Sequence, residues 1–129
     1  MKTIIKTSIF LLINLFCLTS FSQNEIKVTI AGNSGDKVTM TREDLLKAGE
    51  LTLETKETNC SISSFTFSWS ENGFTKEIFV KGNKFSEIAI EAIKKTPIGV
   101  KVYFENIQLI LADGKTKNMP SIIIKLVEK

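Results

Sequence analysis

Apolar and polar residues alternate with a period of two through most of the chain, which predicts strands with one buried and one wet face. Residues 25–30 set Ile26, Val28 and Ile30 against Glu25, Lys27 and Thr29. A turn follows in AGNSGD, whose glycines, Asn, Ser and Asp tolerate positive backbone angles, and residues 37–40 resume an extended pattern. Residues 51–55 alternate weakly, and residues 54–59 are polar enough for a loop or an edge. From Ile62 the pattern sharpens, with Phe65, Phe67 and Trp69 on one side and Thr66, Ser68 and Ser70 on the other. Asn72-Gly73 suits a two-residue hairpin loop, so residues 76–81 return as the partner strand.

Two stretches change to helical spacing. Thr41 stands three residues before Asp44 and caps a short helix that turns Leu45, Leu46 and Ala48 inward and ends at Gly49. Ser86 caps a second helix over residues 87–95, in which Ile88, Ala92 and Ile93 share a face, and Pro97 and Gly99 stop it. Lys94 and Lys95 suit the negative end of its dipole.

The densest apolar run of the chain after its first segment is residues 97–129. Val100, Val102 and Phe104 alternate with Lys101, Tyr103 and Glu105. Ile107, Leu109 and Leu111 then continue in a shifted phase, which predicts a bulge at Asn106. After the Asp113-Gly114 turn, a polar segment leads past Pro120, which cannot donate to a ladder and marks a strand's entry. Ile122, Ile124 and Leu126 share one face of that last strand. Together these elements predict a mainly β protein, an antiparallel β-sandwich with two short connecting helices.

The first segment is different in kind. Lys2 and Lys6 precede an apolar run over residues 9–18, and Ser20-Phe21-Ser22 places small residues where a signal peptidase reads. The run is shorter than the roughly 20 residues needed to cross a bilayer. Phe16 occupies the position before Cys17 that lipid attachment reserves for small residues. The expectation is therefore a signal peptide over residues 1–22, cleaved between Ser22 and Gln23, and one domain over residues 23–129. Such a domain is exported, to the periplasm or beyond the cell, and keeps no transmembrane anchor. Losing Lys2 and Lys6 takes the 17 basic residues to 15 against 14 acidic ones, so a net +3 becomes +1. Lys and Glu alternate along the rest, without the basic stripe of a nucleic-acid binder.

Candidate chemistry is sparse. The chain has no histidine, and of its two cysteines only Cys60 follows the cleavage point, so no internal disulfide is expected. The usual zinc, copper and Cys/His catalytic constellations lack their ligands, and no metal or cofactor is expected. Glu43, Asp44, Glu77, Glu87, Glu91 and Glu105 could serve carboxylate chemistry or calcium, but their places at helix starts and on wet strand faces read as solvated surface. Cys60 reads as a small buried hydrophobe and the Phe65–Phe67–Trp69 stripe as core. Tyr103, between Lys101 and Glu105 on the face opposite Val102 and Phe104, is the kind of amphipathic ring that interfaces use.

The order Ser64-Phe65-Thr66-Phe67, an Asn-Gly hairpin, Gly82-Asn83-Lys84-Phe85, then GVKVYFENI over residues 99–107, Asp113-Gly114 and an Ile-rich last strand resembles the GldM C-terminal domain family. Residues 41–49, TREDLLKAG, are similar to that domain's entry, and the likeness covers residues 35–126. It implies an immunoglobulin-like sandwich without an active site, of the kind that contacts envelope proteins in type IX secretion and gliding motility. The family's membrane helix carries a buried ionisable residue, whereas residues 9–18 contain no Asp, Glu, Lys or Arg, so a proton-driven motor role is not implied. The expected function is an exported, non-catalytic protein-interaction module of the cell envelope. The competing class is a small secreted ligand-binding protein or carboxylate-based enzyme, for which two acids would converge in a deep pocket. A third class completes its fold with a partner's strand, for which residues 25–30 or 51–55 would form an unpaired edge.

Overall fold

The computed structural model describes residues 26–56 and 59–129, so the expected signal segment with its Ser22–Gln23 junction lies outside the described residues. Among the described residues, eight strands and two helices follow in the order β1 (Lys27–Thr29), β2 (Val38–Thr41), α1 (Arg42–Ala48), β3 (Thr52–Glu54), β4 (Ser61–Glu71), β5 (Phe74–Lys81), α2 (Glu87–Lys95), β6 (Lys101–Ile110), β7 (Thr116–Met119) and β8 (Ile122–Val127). The fold is mainly β with two short helices.

The large sheet runs β2-β8-β6-β4-β5, with β7 also paired to β6. It is mixed rather than wholly antiparallel as the alternation suggested: β2 lies parallel to β8, Val38 opposite Ile124. Alternation fixes which face of a strand is buried but carries no information on direction, so this pairing was not legible. A second, two-stranded sheet pairs β1 with β3, Val28 opposite Leu53. Residues 27–29 and 52–54, from the two segments whose lack of pairing would have favoured completion by a partner's strand, therefore pair with each other.

Hydrophobic burial follows the predicted stripes. Phe65, Phe67, Val102, Phe104, Ile122, Ile124 and Leu126 are fully or almost fully buried and share one cluster with Leu45 of α1, Ala89, Ala92 and Ile93 of α2, and Val28, Ile30 and Leu51 around the small sheet. The helices and the small sheet thus lie over one core. Phe104 is its aromatic hub, with ring centroids 6.0 Å from Phe65, 5.1 Å from Phe67 and 5.2 Å from Phe85.

The bulge expected at Asn106 is present. Asn106 has φ 49, and the pairing of β4 with β6 shifts twice, between Ile62 and Ser64 and again between Ser64 and Thr66. Phe104 and Ile107, three residues apart, are both fully buried, as a phase change requires. The segment between Gly114 and Pro120, read as polar connection, is instead strand β7, with Ile107 opposite Met119. Its register with β6 continues into β8, where Phe104 faces Ile122, so Pro120 interrupts what is otherwise one strand.

Both predicted helix caps form. Thr41 Oγ1 accepts from the Asp44 N–H at 3.1 Å and Ser86 Oγ from the Ala89 N–H at 3.3 Å. Gly49 closes α1 in the left-handed region, φ 67, and donates to the Leu45 carbonyl. The buried face of α2 is Ala89, Ala92 and Ile93, while Ile88, expected inside, is exposed. The 89–92–93–96 spacing, completed by the buried Thr96, wins over 88–92–93 because it is the unbroken 3–4 repeat of one helix face. Of the inward set of α1 only Leu45 is fully buried, with Leu46 and Ala48 packed partly against the core.

Alternation fails at Thr29, which is fully buried and whose Oγ1 has no hydrogen-bond partner among the described residues. A buried hydroxyl without a partner costs on the order of 1 kcal/mol or more. Thr29→Val, nearly isosteric, is expected to raise stability by up to about 1 kcal/mol, read as a higher urea midpoint. A lower midpoint would show that the hydroxyl contributes a bond.

Candidate functional site

Register across the large sheet places Lys101, Tyr103 and Glu105 on one face. Val102 and Phe104 are fully buried on the other, so their odd-numbered neighbours turn away from the core. Lys101 is exposed; Tyr103 and Glu105 are half-buried.

Pairing then extends this trio into rows. Tyr103 lies between Ile123 on β8 and Ser68 on β4, and Ser68 lies opposite Glu77 on β5. Glu105 lies opposite Thr66, which in turn faces Phe79. Lys101 lies opposite Lys125, which faces Thr39. The outer face is therefore a platform with a half-buried phenol and aliphatic at its centre, lysines towards β2 and an exposed phenylalanine on β5.

One hydrogen bond organises it. Ser68 donates through Oγ to Glu105 Oε1 at 2.6 Å, across from β4 to β6. Ser68 is only 3 % exposed although it belongs to the wet face, where it lies opposite Tyr103 and is bonded to Glu105. The sequence marks Glu105 as wet but gives no sign that its carboxylate is held in place.

The remaining acids are scattered. Glu71 pairs with Lys76 across the β4–β5 hairpin, Glu91 with Lys94 at 3.5 Å along α2, and Glu43 with Lys129 at 3.4 Å. The Lys76 ammonium, through its hydrogen bond and its charge, holds the Glu71 carboxyl below the ordinary carboxylate range. No group of three or more His, Cys, Asp or Glu able to hold a metal occurs among the described residues. Cys60 sits half-buried one residue before β4, not in the core as its residue type suggested.

Two neighbouring depressions border on acidic residues. One of about 300 Å³ lies over Trp69, between the β4–β5 turn and the end of α2, bordered by Glu71, Asn72, Lys95 and Pro97. A neighbouring one is bordered by Glu71, Glu87 and Glu91 with Ile88 and Lys95. Both are open, and two of the three carboxylates are engaged by lysines. Among the described residues no helix is long and apolar enough to cross a membrane.

Two features escaped the sequence reading. Phe79 is 66 % exposed on β5, out of phase with the partly buried Ile78 and the buried Val80, and the signal was its odd position in an otherwise even-numbered apolar stripe. Arg42, first residue of α1, donates from Nε to the Ile93 carbonyl at 3.1 Å and from Nη2 to the Thr96 carbonyl, tying α1 to the end of α2. Nothing in its local sequence signals a partner about fifty positions away. Comparison with protein-family models gives no match to this chain, and comparison with curated proteins gives none either.

Proposed function

We propose that this chain is an exported, non-catalytic protein-interaction module of the cell envelope, an immunoglobulin-like sandwich of the GldM C-terminal type. Two features support that fold reading. The order β8-β6-β4-β5 is that of G, F, C and C′ strands in a variable-type sheet, and the β1–β3 pair, whose Val28 shares the core, would serve as a reduced second sheet. The segments quoted for the resemblance also fall on regular elements or their junctions: the Phe-rich stretch on β4, GNKF between β5 and α2, and KVYFENI along β6.

The observation that carries the functional reading is the outer face around Tyr103. It is open, rests on a packed core, and combines an aromatic, an aliphatic and a fixed carboxylate, the mixture that gives interfaces their anchors and register. Its partner is an envelope protein met in the periplasm or outside the cell.

Affinity capture from envelope extract under crosslinking tests this. Wild-type protein is expected to recover a specific protein partner, and Tyr103→Ala to weaken that capture by about tenfold or more, with thermal unfolding nearly unchanged. Recovery of no protein, together with a bound small molecule in native mass spectrometry, would overturn the reading in favour of a ligand-binding protein.

A further inference from the structure

Strand β5 is the end of the large sheet and, among the described residues, pairs with β4 alone. Its backbone polarity is fixed by the hairpin: the Gly82 N–H donates to the Ser63 carbonyl on β4 at 2.7 Å, so even-numbered residues turn their backbone groups to β4. Odd-numbered residues, Thr75, Glu77, Phe79 and Lys81, therefore turn theirs outward. Eight residues long and exposed along most of its length, β5 carries the unpaired donors and acceptors that natural sheets usually block.

We infer that β5 is a homodimer interface, at which β5 of a second copy adds antiparallel about a two-fold axis through Phe79. An axis normal to the sheet keeps both outer faces on one side and sets one residue opposite itself. Centring on Phe79 places Phe79 against Phe79, Glu77 against Lys81 twice, and Ile78 against Val80 twice. Every charge in the overlap meets its opposite, and about six backbone hydrogen bonds form between the copies.

Other centres are worse. Centring on Glu77 or on Lys81 sets like charges face to face, centring on Ile78 sets Glu77 against Phe79, and centring on Val80 sets Lys81 against Phe79. The register through Phe79 is also the one that gives that side chain a partner; it is otherwise 66 % exposed. Charge complementarity and the stranded phenylalanine thus select the same axis. The inference stands on β5 and does not depend on which envelope partner the Tyr103 region takes.

Sedimentation velocity of the purified chain over a concentration series tests it. The wild type is expected to show a reversible monomer–dimer equilibrium. Glu77→Lys or Lys81→Glu each introduces two like-charge contacts and is expected to raise the dimer dissociation constant about tenfold or more. The double swap E77K/K81E restores both pairs and is expected to return the constant to within about threefold of wild type. Both positions are on the exposed edge, and circular dichroism is expected to report unchanged folding. A wild type that stays monomeric throughout, a dimer insensitive to E77K, or a double swap that fails to rescue would each overturn the proposed interface.

Discussion

Phe104→Ala is expected to lower the thermal midpoint of unfolding by roughly 15–30 °C. Phe104 is fully buried at the middle of β6 and touches the rings of Phe65 and Phe67 on β4 and Phe85 at the entry to α2. Truncating such a ring costs about 3–5 kcal/mol, the sum of lost transfer energy and a cavity that fixed neighbours cannot fill. A domain of this size has about 5–15 kcal/mol in total. The residue also joins the large sheet to the helical layer through Phe85, so the neighbours on both sides lose contact together. Phe104→Leu keeps most of the volume and is expected to cost less than half as much. Calorimetry or circular dichroism checks both, and a drop below about 5 °C for the alanine variant would contradict Phe104 as the hub.

Arg42→Ala is the second large effect, about 2–3 kcal/mol, read as a lower urea midpoint at unchanged slope. The guanidinium serves two carbonyls at the end of α2, Ile93 and Thr96, which have no partner within the helix. Its charge also sits at the negative end of that helix dipole. Removing it leaves both acceptors unpaired and releases α1 from α2. Arg42→Lys cannot span both carbonyls and is expected to recover only part of the loss. Midpoints within about 0.5 kcal/mol of wild type for the alanine variant would show that water replaces the guanidinium without cost.

The contrast between these two residues shows what the sequence carries. Phe104 lies in a strand whose alternation names its buried side, and Thr41, Ser86, Gly49, Asn72-Gly73 and Asn106 each announce a local backbone event through their own chemistry. Such signals act within four residues, so they are legible. Arg42 joins segments about fifty positions apart, and β2 aligns parallel to β8 from the other end of the chain, and no local pattern encodes either. Ile88 and Ala89 are separable only by knowing which side of α2 the core lies on. The same distinction governs the candidate site. Tyr103 on a wet face follows from parity alone, whereas its neighbours Ile123, Ser68 and Glu77, and the bond that fixes Glu105, follow from register.

Parity also explains why Phe79 matters. In a strand whose even positions Ile78 and Val80 pack inward, an odd phenylalanine has no place in the core. Its exposure puts an aromatic at the free edge of the platform that holds Tyr103. A dimer through β5 would join two such platforms into one continuous face, doubling the surface offered to a partner.

The central claim is that the outer face around Tyr103, and not the helical side, meets a partner protein. Its most direct test is a photocrosslinking residue placed at Tyr103, and in a separate variant at Glu91 on the exposed side of α2, each irradiated in the intact envelope. The account predicts a covalent adduct to the same envelope protein in repeated trials from position 103 and none from position 91. Adducts from position 91 alone, or no protein adduct from position 103, would contradict it.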